Sequence, residues 1–111
     1  MTTLTDAVFA EALRQKPGFL VVKFYANWCP DCRRVEAAYR QFPERFPGLA
    51  FAELNTDENQ GTARLYDVRG IPSFLVFEGG RLVDRLYSRD AKSVAQVEGF
   101  VSSFAPSGKA S

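Results

Sequence analysis

The 111-residue chain has the size of one domain, and 46% of its residues are hydrophobic, as in a globular rather than a disordered protein. Its 14 Lys and Arg residues nearly balance its 13 Asp and Glu residues, and the net charge of +1 leaves no basic footprint for nucleic acid or an anionic membrane. No apolar run approaches the roughly 18 residues of a membrane-spanning helix, and residues 1–6 lack the features of a signal peptide. We therefore expect a cytoplasmic monomer that binds neither nucleic acid nor membrane.

The N-terminal part predicts a helix followed by a buried strand. Thr5 or Asp6 is a suitable cap for the helix, because apolar residues recur after it at helical spacing, and Lys16-Pro17-Gly18 ends it. Residues 19–25 form a predicted strand that is apolar on both faces, with Lys23 as the exception. Such a strand is expected at the centre of a sheet that helices cover on both sides.

A second helix and a second strand follow. The run from Arg33 to Phe42 has helical character, Pro43 is expected to break or kink the helix, and Phe46-Pro47-Gly48 is expected to end it. The next strand is predicted over residues 49–55, with Glu53 as its one charged residue. A short helix through Tyr66 then lies between two strands, which indicates a crossover.

The last part of the chain predicts a hairpin and a helix. Residues 73–77 and 82–87 read as strands, and the turn Glu78-Gly79-Gly80-Arg81 joins them. Asp90 or Ser93 caps the final helix. We assign residues 1–105 to one domain and residues 106–111 to a flexible tail.

Both cysteines lie in the stretch Trp28-Cys29-Pro30-Asp31-Cys32, between the first long strand and the second helix. Pro30 fits the first helical position, so Cys29 falls near the N-cap, where free N–H groups and the helix dipole stabilise a thiolate. Cys32 lies one turn further along the same side, within reach of a disulfide with Cys29. A Cys-X-X-Cys at such a junction predicts a redox site.

Three other interpretations of this cysteine pair stay open. A structural disulfide would stabilise the fold little, because it would close only a short loop. A zinc site takes four ligands, and the chain has no histidine and no third cysteine, so carboxylates or a second chain would have to complete it. The third alternative is an inert remnant in a binding domain.

The order of the elements and several motifs resemble the thioredoxin family over nearly the whole chain, from Leu4 to about Phe104. The motifs are Phe24-Tyr25-Ala26-Asn27-Trp28-Cys29, Asn55-Thr56-Asp57 and Val68-Arg69-Gly70-Ile71-Pro72. The resemblance implies the α/β thioredoxin fold, a mixed central β-sheet flanked by helices. The first strand of the family is expected to be truncated here, because the chain begins just before the first helix.

The resemblance also implies dithiol–disulfide exchange, with Cys29 as the attacking thiol and Cys32 as the resolving thiol. The substrates would be proteins that contain disulfides, and a thioredoxin reductase or a similar protein would supply the electrons. No nucleotide or flavin motif is present, so we expect no bound cofactor and no metal. The redox-active group is then the Cys29–Cys32 disulfide itself.

The same resemblance implies a substrate-binding surface around the cysteines. Pro72 would be a cis-proline facing them, and Gly70 and Ile71 before it would leave backbone free to pair with a substrate segment. Trp28 would form a flat apolar platform beside Cys29, and Pro30 would belong to the same substrate-binding surface. The alternatives are an ordinary trans turn before the third strand and plain core packing for Trp28.

Two departures from the family concern the partners. Typical thioredoxins have Gly-Pro between the cysteines, whereas this chain has Pro30-Asp31. The aspartate suits a helix N-terminus, but its negative charge opposes formation of a thiolate at Cys29. Arg33 and Arg34 follow directly, and their positive charges favour the thiolate. A Trp-Cys-Pro-Asp-Cys motif resembles small thioredoxin-related proteins that are selective about substrates. Tyr87-Ser88-Arg89 also stands where the family has Val-Gly-Ala, and its bulk and charge would narrow the range of partners.

A third departure lies in the strands. Lys23 and Glu53 stand where the family has a buried acid and its lysine partner, so the charges are exchanged. We expect them to pair, because an unpaired buried charge costs several kcal/mol by a rough general measure. The hypothesis is that Glu53 accepts the proton of Cys32 and that Lys23 keeps Glu53 ionised. The alternative is that both side chains reach solvent at the ends of the sheet.

We thus interpret the chain as a protein-disulfide reductase of the thioredoxin type. An oxidant or isomerase, or an electron carrier dedicated to one partner, is the next alternative, because a sequence does not give the redox potential. A non-enzymatic binding module is less well supported, since both cysteines and Trp28 are kept.

Overall fold

Residues 1–106 of the computed structural model are described, and they contain five strands, four α-helices and one 3-10 turn. The strands are β1 (Thr2–Leu4), β2 (Phe19–Tyr25), β3 (Ala50–Asn55), β4 (Ser73–Glu78) and β5 (Arg81–Leu86). The helices are α1 (Phe9–Gln15), α2 (Pro30–Arg45), α3 (Gln60–Leu65) and α4 (Val94–Ser102), and the 3-10 turn covers Ser88–Asp90.

The strands form one mixed sheet in the order β1-β3-β2-β4-β5. β1 and β2 both run parallel to β3, whereas β4 is antiparallel to β2 and β5 is antiparallel to β4. The predicted mixed sheet and its short first strand are therefore confirmed. None of the helices within residues 1–106 is long and apolar enough to cross a membrane.

The central strand β2 separates two hydrophobic cores. Leu20, Val22 and Phe24 belong to the core beneath α1 and α3, and Val21 belongs to the core beneath α2 and α4. Because side chains alternate along a strand, Lys23 points to the same side as Val21. The prediction of helices on both faces is confirmed, and it places a lysine under α2.

Of the two outcomes predicted for Pro43, the break does not occur, because α2 continues through this proline and ends at Arg45, just before the predicted stop Phe46-Pro47-Gly48. A proline inside a helix loses one backbone hydrogen bond and clashes with the preceding turn, which costs about 3 kcal/mol or more. Tyr39 and Phe42 are both 0% exposed and hold this face of the helix in the core. The N–H of Phe46 still donates to the carbonyl oxygen of Phe42, 2.8 Å away. Burial of the helix therefore outweighs the local preference for a break.

The predicted cap of the first helix is also wrong. α1 begins at Phe9, and no side chain caps its N-terminus. The Asp6 carboxylate instead accepts hydrogen bonds from the N–H groups of Gly61 and Thr62, at 3.1 and 2.8 Å, in the first turn of α3. The pKa of Asp6 is lowered, first by a hydrogen bond from the Thr62 side chain and then by these two backbone bonds. A residue before α1 thus caps a helix far along the chain.

The C-terminal elements follow the prediction closely. Gly79 and Gly80 have φ angles of 62° and 84°, the left-handed conformation that a tight hairpin turn needs. Of the two predicted caps of the last helix, Ser93 is the one used, and with Gln96 it forms a capping box. Of the predicted tail, residues 107–111 lie outside the described residues. Pro106 packs closely on Gly48, because a Cβ atom added to Gly48 would lie 2.4 Å from the Cγ atom of Pro106.

Tyr39→Phe is expected to destabilise the fold without changing its shape. The buried hydroxyl of Tyr39 lies 2.8 Å from the carbonyl oxygen of Ala52 and 3.1 Å from that of Val21, so it ties α2 to β2 and β3. Its loss should lower the free energy of unfolding by about 1–2 kcal/mol. Urea unfolding measures this, with Tyr87→Phe at an exposed tyrosine as the control. Equal stability of the two variants would contradict the role of the Tyr39 hydroxyl.

Candidate active site

Cys29 is the N-cap of α2, and Pro30 occupies the first helical position, as the sequence predicts. The backbone N–H of Cys32 donates to the sulfur of Cys29 over 3.1 Å. A free N–H at a helix start stabilises negative charge on the atom that it faces. The local fold therefore presents the Cys29 sulfur to the backbone N–H groups at the start of α2.

The segment before β4 closes over this sulfur. The Ile71–Pro72 peptide bond is cis, and the Cys29 thiol donates to the carbonyl oxygen of Ile71 at 3.6 Å. Cys29 and Cys32 are only 4% and 3% exposed, and they form a small cluster with Ala26, against which Ile71 packs. The backbone of Ile71 thus lies directly beside the Cys29 sulfur.

The two thiols differ in their surroundings. Burial is the main reason that the pKa of Cys32 is raised to about 12, and its hydrogen bond with Cys29 raises it further. The backbone at Ala26 and the charge of Lys23 act in the opposite direction. Cys32 is therefore a thiol at neutral pH.

Trp28 lies on the surface rather than in the core. It is 64% exposed, and its indole N–H donates to the Asp57 carboxylate at 2.9 Å. This bond fixes the ring at the edge of the site, and the core-packing alternative does not hold. Pro30 is likewise exposed.

The Asp31 carboxylate is paired with two cations, one from its own helix and one from far along the chain. It forms ion pairs with Arg34 and, at 3.3 Å, with Lys92. The hydrogen bond from Arg34 is the main cause, and that from Lys92 the next, of a pKa of Asp31 below its ordinary value. Arg33 has a different partner, since its side chain donates to the carbonyl oxygen of Asn27.

Lys23 and Glu53 face each other across paired strands, as proposed from the sequence. They are register partners in β2 and β3, and the Lys23 ammonium lies 3.5 Å from the Glu53 carboxylate. Lys23 is 0% and Glu53 4% exposed, so neither side chain reaches solvent at the end of the sheet. The Lys23 ammonium also lies 4.8 Å from the ring centre of Tyr25 and 5.0 Å from that of Tyr39, which are favourable cation–π distances.

The sequence interpretation missed two members of this network. Lys23 forms an ion pair with Glu36, and Arg40 joins Glu36 to Glu53 at 2.6 and 3.0 Å. Burial disfavours the Glu36 carboxylate, but hydrogen bonds from Lys23 and Arg40 outweigh it, so the pKa of Glu36 is lowered. The spacing Cys32, Glu36, Arg40 was the available signal, because residues four apart share one face of a helix.

An open cleft of about 370 Å³ connects Cys32 with this network. Cys32, Glu36 and Arg40 line it, together with Arg33 and residues 25–27. Glu53 is not among the lining residues. Water in this cleft would contact both the Cys32 thiol and the Glu36 carboxylate. Within residues 1–106, no group of three Cys, Asp or Glu side chains is arranged to hold a metal ion.

Comparison with known proteins agrees with this geometry. The thioredoxin family model matches residues 1–102. A thioredoxin from Synechocystis sp. is 37% identical over 82 residues, which cover 73% of this chain and 77% of the relative. A thioredoxin from Alicyclobacillus acidocaldarius is 35% identical over 98 residues, which cover 86% and 91% of the two chains.

Solved structures show the same fold. A Plasmodium falciparum thioredoxin superposes with a TM-score of 0.85 at 22% identity, covering 95% of this chain and all of that one. A Fasciola hepatica thioredoxin gives a TM-score of 0.82 at 26% identity, with coverages of 94% and 99%. The chain therefore belongs to the thioredoxin family, and its Cys-X-X-Cys pair makes it a thiol–disulfide oxidoreductase.

Proposed function

We propose that the protein is a protein-disulfide reductase, with Cys29 as the nucleophile and Cys32 as the resolving thiol. The observation that carries this proposal is the asymmetry of the pair. The sulfur of Cys29 accepts a backbone N–H at the start of α2, whereas burial keeps Cys32 protonated with a pKa of about 12. Only one of the two thiols is thus prepared for the first attack.

The reaction follows from thiol–disulfide exchange. The Cys29 thiolate attacks one sulfur of the substrate disulfide, and the other sulfur leaves as a thiolate, which gives a mixed disulfide. Cys32 loses its proton and attacks the Cys29 sulfur, so that the second substrate sulfur leaves. The substrate gains two electrons and the Cys29–Cys32 pair becomes a disulfide. A protein reductase of the thioredoxin reductase kind must then return two electrons.

The substrate surface in this proposal is the edge formed by Gly70, Ile71 and Pro72. The Ile71 carbonyl lies beside the Cys29 sulfur, so a substrate segment paired with this backbone would bring its disulfide to the nucleophile. Trp28 and Pro30 border the same edge from the exposed side. A reductase must be kept as a dithiol, which suits a reducing compartment such as the cytoplasm.

Resolution of the mixed disulfide needs an acceptor for the Cys32 proton. We propose that the carboxylate pair Glu36 and Glu53, which forms ion pairs with Lys23 and Arg40, accepts it through water. The sequence suggested Glu53, and the cleft adds Glu36, which lines the same space as Cys32. Lys23 also favours the Cys32 thiolate, because its charge lowers the pKa of Cys32.

Iodoacetamide is expected to alkylate Cys29 before Cys32 in the reduced protein, because only a thiolate reacts rapidly. Cys29→Ser should abolish the reduction of insulin, whereas Cys32→Ser should leave one stoichiometric attack and a trapped mixed disulfide. Mass mapping of the alkylated cysteines and the insulin assay measure these outcomes. Faster alkylation of Cys32 would reverse the assignment of the nucleophile.

The reduction potential tests the reductase assignment itself. Equilibration with glutathione should give a value near the ~−270 mV of thioredoxins rather than the ~−180 mV of disulfide isomerases. Asp31→Asn should raise it, because the substitution removes a negative charge near the Cys29 thiolate and so stabilises the reduced form. Arg34 and Lys92 already balance Asp31, so we expect the rise to be small. An isomerase-like potential for the unaltered protein would favour the oxidant or isomerase alternative.

Variants of the charge network should separate the two chemical steps. Glu36→Gln and Glu53→Gln should each slow resolution by roughly tenfold or more while sparing the first attack, and Glu36→Gln at least as strongly. Glu44→Gln, at an exposed position of the same helix, is the control. Stopped-flow kinetics of both steps measure this. If neither carboxylate variant alters resolution, the network has a structural role only.

Lys23→Met should slow the same step and lower the free energy of unfolding by about 2–3 kcal/mol, because Glu53 loses one partner and keeps Arg40. The double variant Lys23→Met, Glu53→Leu should recover stability but not the rate of resolution. Chemical unfolding beside the kinetics measures both. Recovery of the rate as well would show that the pair plays no part in the proton transfer.

A further inference from the structure

A second cleft, of about 400 Å³, lies on the other side of the cis-proline segment. Arg69, Arg85 and Arg89 line it with Tyr87, and Asp67 is the one acidic residue among the lining side chains. Charge in this cleft is therefore unbalanced, three arginines against one aspartate. We refer to it as the arginine cleft.

The guanidinium groups in this cleft are organised rather than scattered. Arg85 and Arg89 lie 5.8 and 5.7 Å from the ring centre of Tyr87, so one aromatic ring contacts two cations. Arg85 also donates to the backbone carbonyl oxygen of Asp67 at 3.4 Å. Tyr87 is 54% exposed, so the ring and its arginines together form an accessible surface.

Internal ion pairs do not satisfy all of this charge. Arg69 pairs with Asp67 at 2.9 Å, and Arg89 pairs loosely with Asp90 at 3.7 Å. Arg85 also lines the cleft, and it forms no ion pair with any residue of the described chain, residues 1–106. A cation held on an aromatic ring without a carboxylate is available to an anionic partner.

The arginine cleft is continuous with the reactive edge. A Cβ on Gly70 would lie 2.2 Å from the Ser88 hydroxyl, so the segment before Pro72 is packed directly against the turn that carries Arg89. The next residue, Ile71, contacts the Cys29 sulfur through its carbonyl oxygen. A polypeptide that presents a disulfide to Cys29 along this edge would therefore extend over the arginine cleft.

We propose that the arginine cleft binds an acidic segment next to the disulfide of a protein substrate, and that it selects such substrates. This inference rests on the proposed reductase function and specifies its substrate class. Arginine suits the task, because its guanidinium holds a carboxylate through two hydrogen bonds and remains charged at every accessible pH. Charge complementarity of this kind acts mainly on association rate and on the choice of partner.

A binding experiment tests this inference without any redox step. The variant Cys29→Ser, Cys32→Ser keeps the arginine cleft and forms no disulfide. Fluorescence anisotropy would compare three labelled linear peptides that differ only in glutamate, glutamine or lysine at the positions flanking a central serine pair. The glutamate peptide should bind most tightly, and added salt should weaken it, because the contact is electrostatic.

Substitutions locate the contact. In the same redox-silent background, Arg85→Gln with Arg89→Gln should weaken binding of the glutamate peptide by about tenfold. Arg14→Gln with Arg45→Gln removes the same charge from two exposed ion pairs elsewhere and should leave binding unchanged. Thermal unfolding of both variants verifies that they are folded.

A kinetic experiment extends the test to turnover. With intact cysteines, the protein should reduce a disulfide peptide flanked by glutamate faster than one flanked by lysine, and the Arg85 and Arg89 variant should lose this preference. Its rate with hydroxyethyl disulfide should stay the same, since that substrate carries no charge.

Equal binding of the three linear peptides, or equal loss of binding in the control variant, would overturn the inference. Stronger competition by inorganic phosphate than by chloride at equal ionic strength would also overturn it, because the cleft would then hold a small anion. Failure to reduce any disulfide would instead refute the reductase proposal, while the anisotropy experiment would still decide the cleft.

Discussion

The ammonium group of Lys23 is a charge buried in the central strand, and the arrangement around the active site depends on how this charge is held. A buried ammonium costs several kcal/mol or more unless it is paired and hydrogen-bonded. Here Glu36 from α2 and Glu53 from β3 approach it from two directions, and Arg40 links the two carboxylates. The charge therefore joins the sheet to the helix that carries both cysteines, and the position of α2 and the ionisation of Glu36 are physically coupled.

This coupling points to a role for the buried Lys23–Glu53 pair beyond stabilising the fold. An ion pair of two buried groups stabilises a fold only weakly, since well-packed apolar residues would do as well. The network extends from the fully buried Lys23 to Arg40, which is exposed, and ends in the cleft that Cys32 also lines. In the proposed mechanism, a proton would leave the buried Cys32 thiol along this path without a charged group crossing the core. At the front of the same helix, the N–H of Cys32 stabilises the other sulfur. The Cys29 sulfur thus faces a backbone N–H at the start of α2, whereas the Cys32 sulfur lies beside the cleft with the charge network.

The sequence was sufficient for the fold because its strongest signals are local or near-local. The apolar run of β2, the glycine turn and the Ser93 cap each depend on a few neighbouring residues, and the motifs around Cys29 and Pro72 place them on a known scaffold. Prediction from the sequence was wrong where a contact between distant residues determines the local structure. Pro43 stays within α2 because the helix face is buried, and Asp6 caps α3 because the fold brings Gly61 beside it. The Lys23–Glu53 pair could be inferred because both charges interrupt apolar strands. For Glu36 and Arg40 the four-residue spacing from Cys32 was available but too weak, because charged residues on a helix are common and only the rotation of α2 over the sheet brings these two to Lys23.

The same distinction applies to charge. A net charge of +1 argues against a large basic face for nucleic acid, but it says nothing about how the charges are distributed. In the folded chain Asp31 and Glu98 are bound to neighbouring cations, as are Glu36 and Glu53. Arg85 rests instead on the ring of Tyr87. Because these carboxylates are already paired with other cations, positive charge is locally in excess beside the cis-proline segment, although the net charge of the chain is nearly zero. The active site is therefore flanked by two clefts of different chemistry. The one that contains Cys32 holds groups suited to moving a proton, and the one beyond Gly70 holds groups suited to recognising a partner, so the chemical step and the choice of substrate can vary independently.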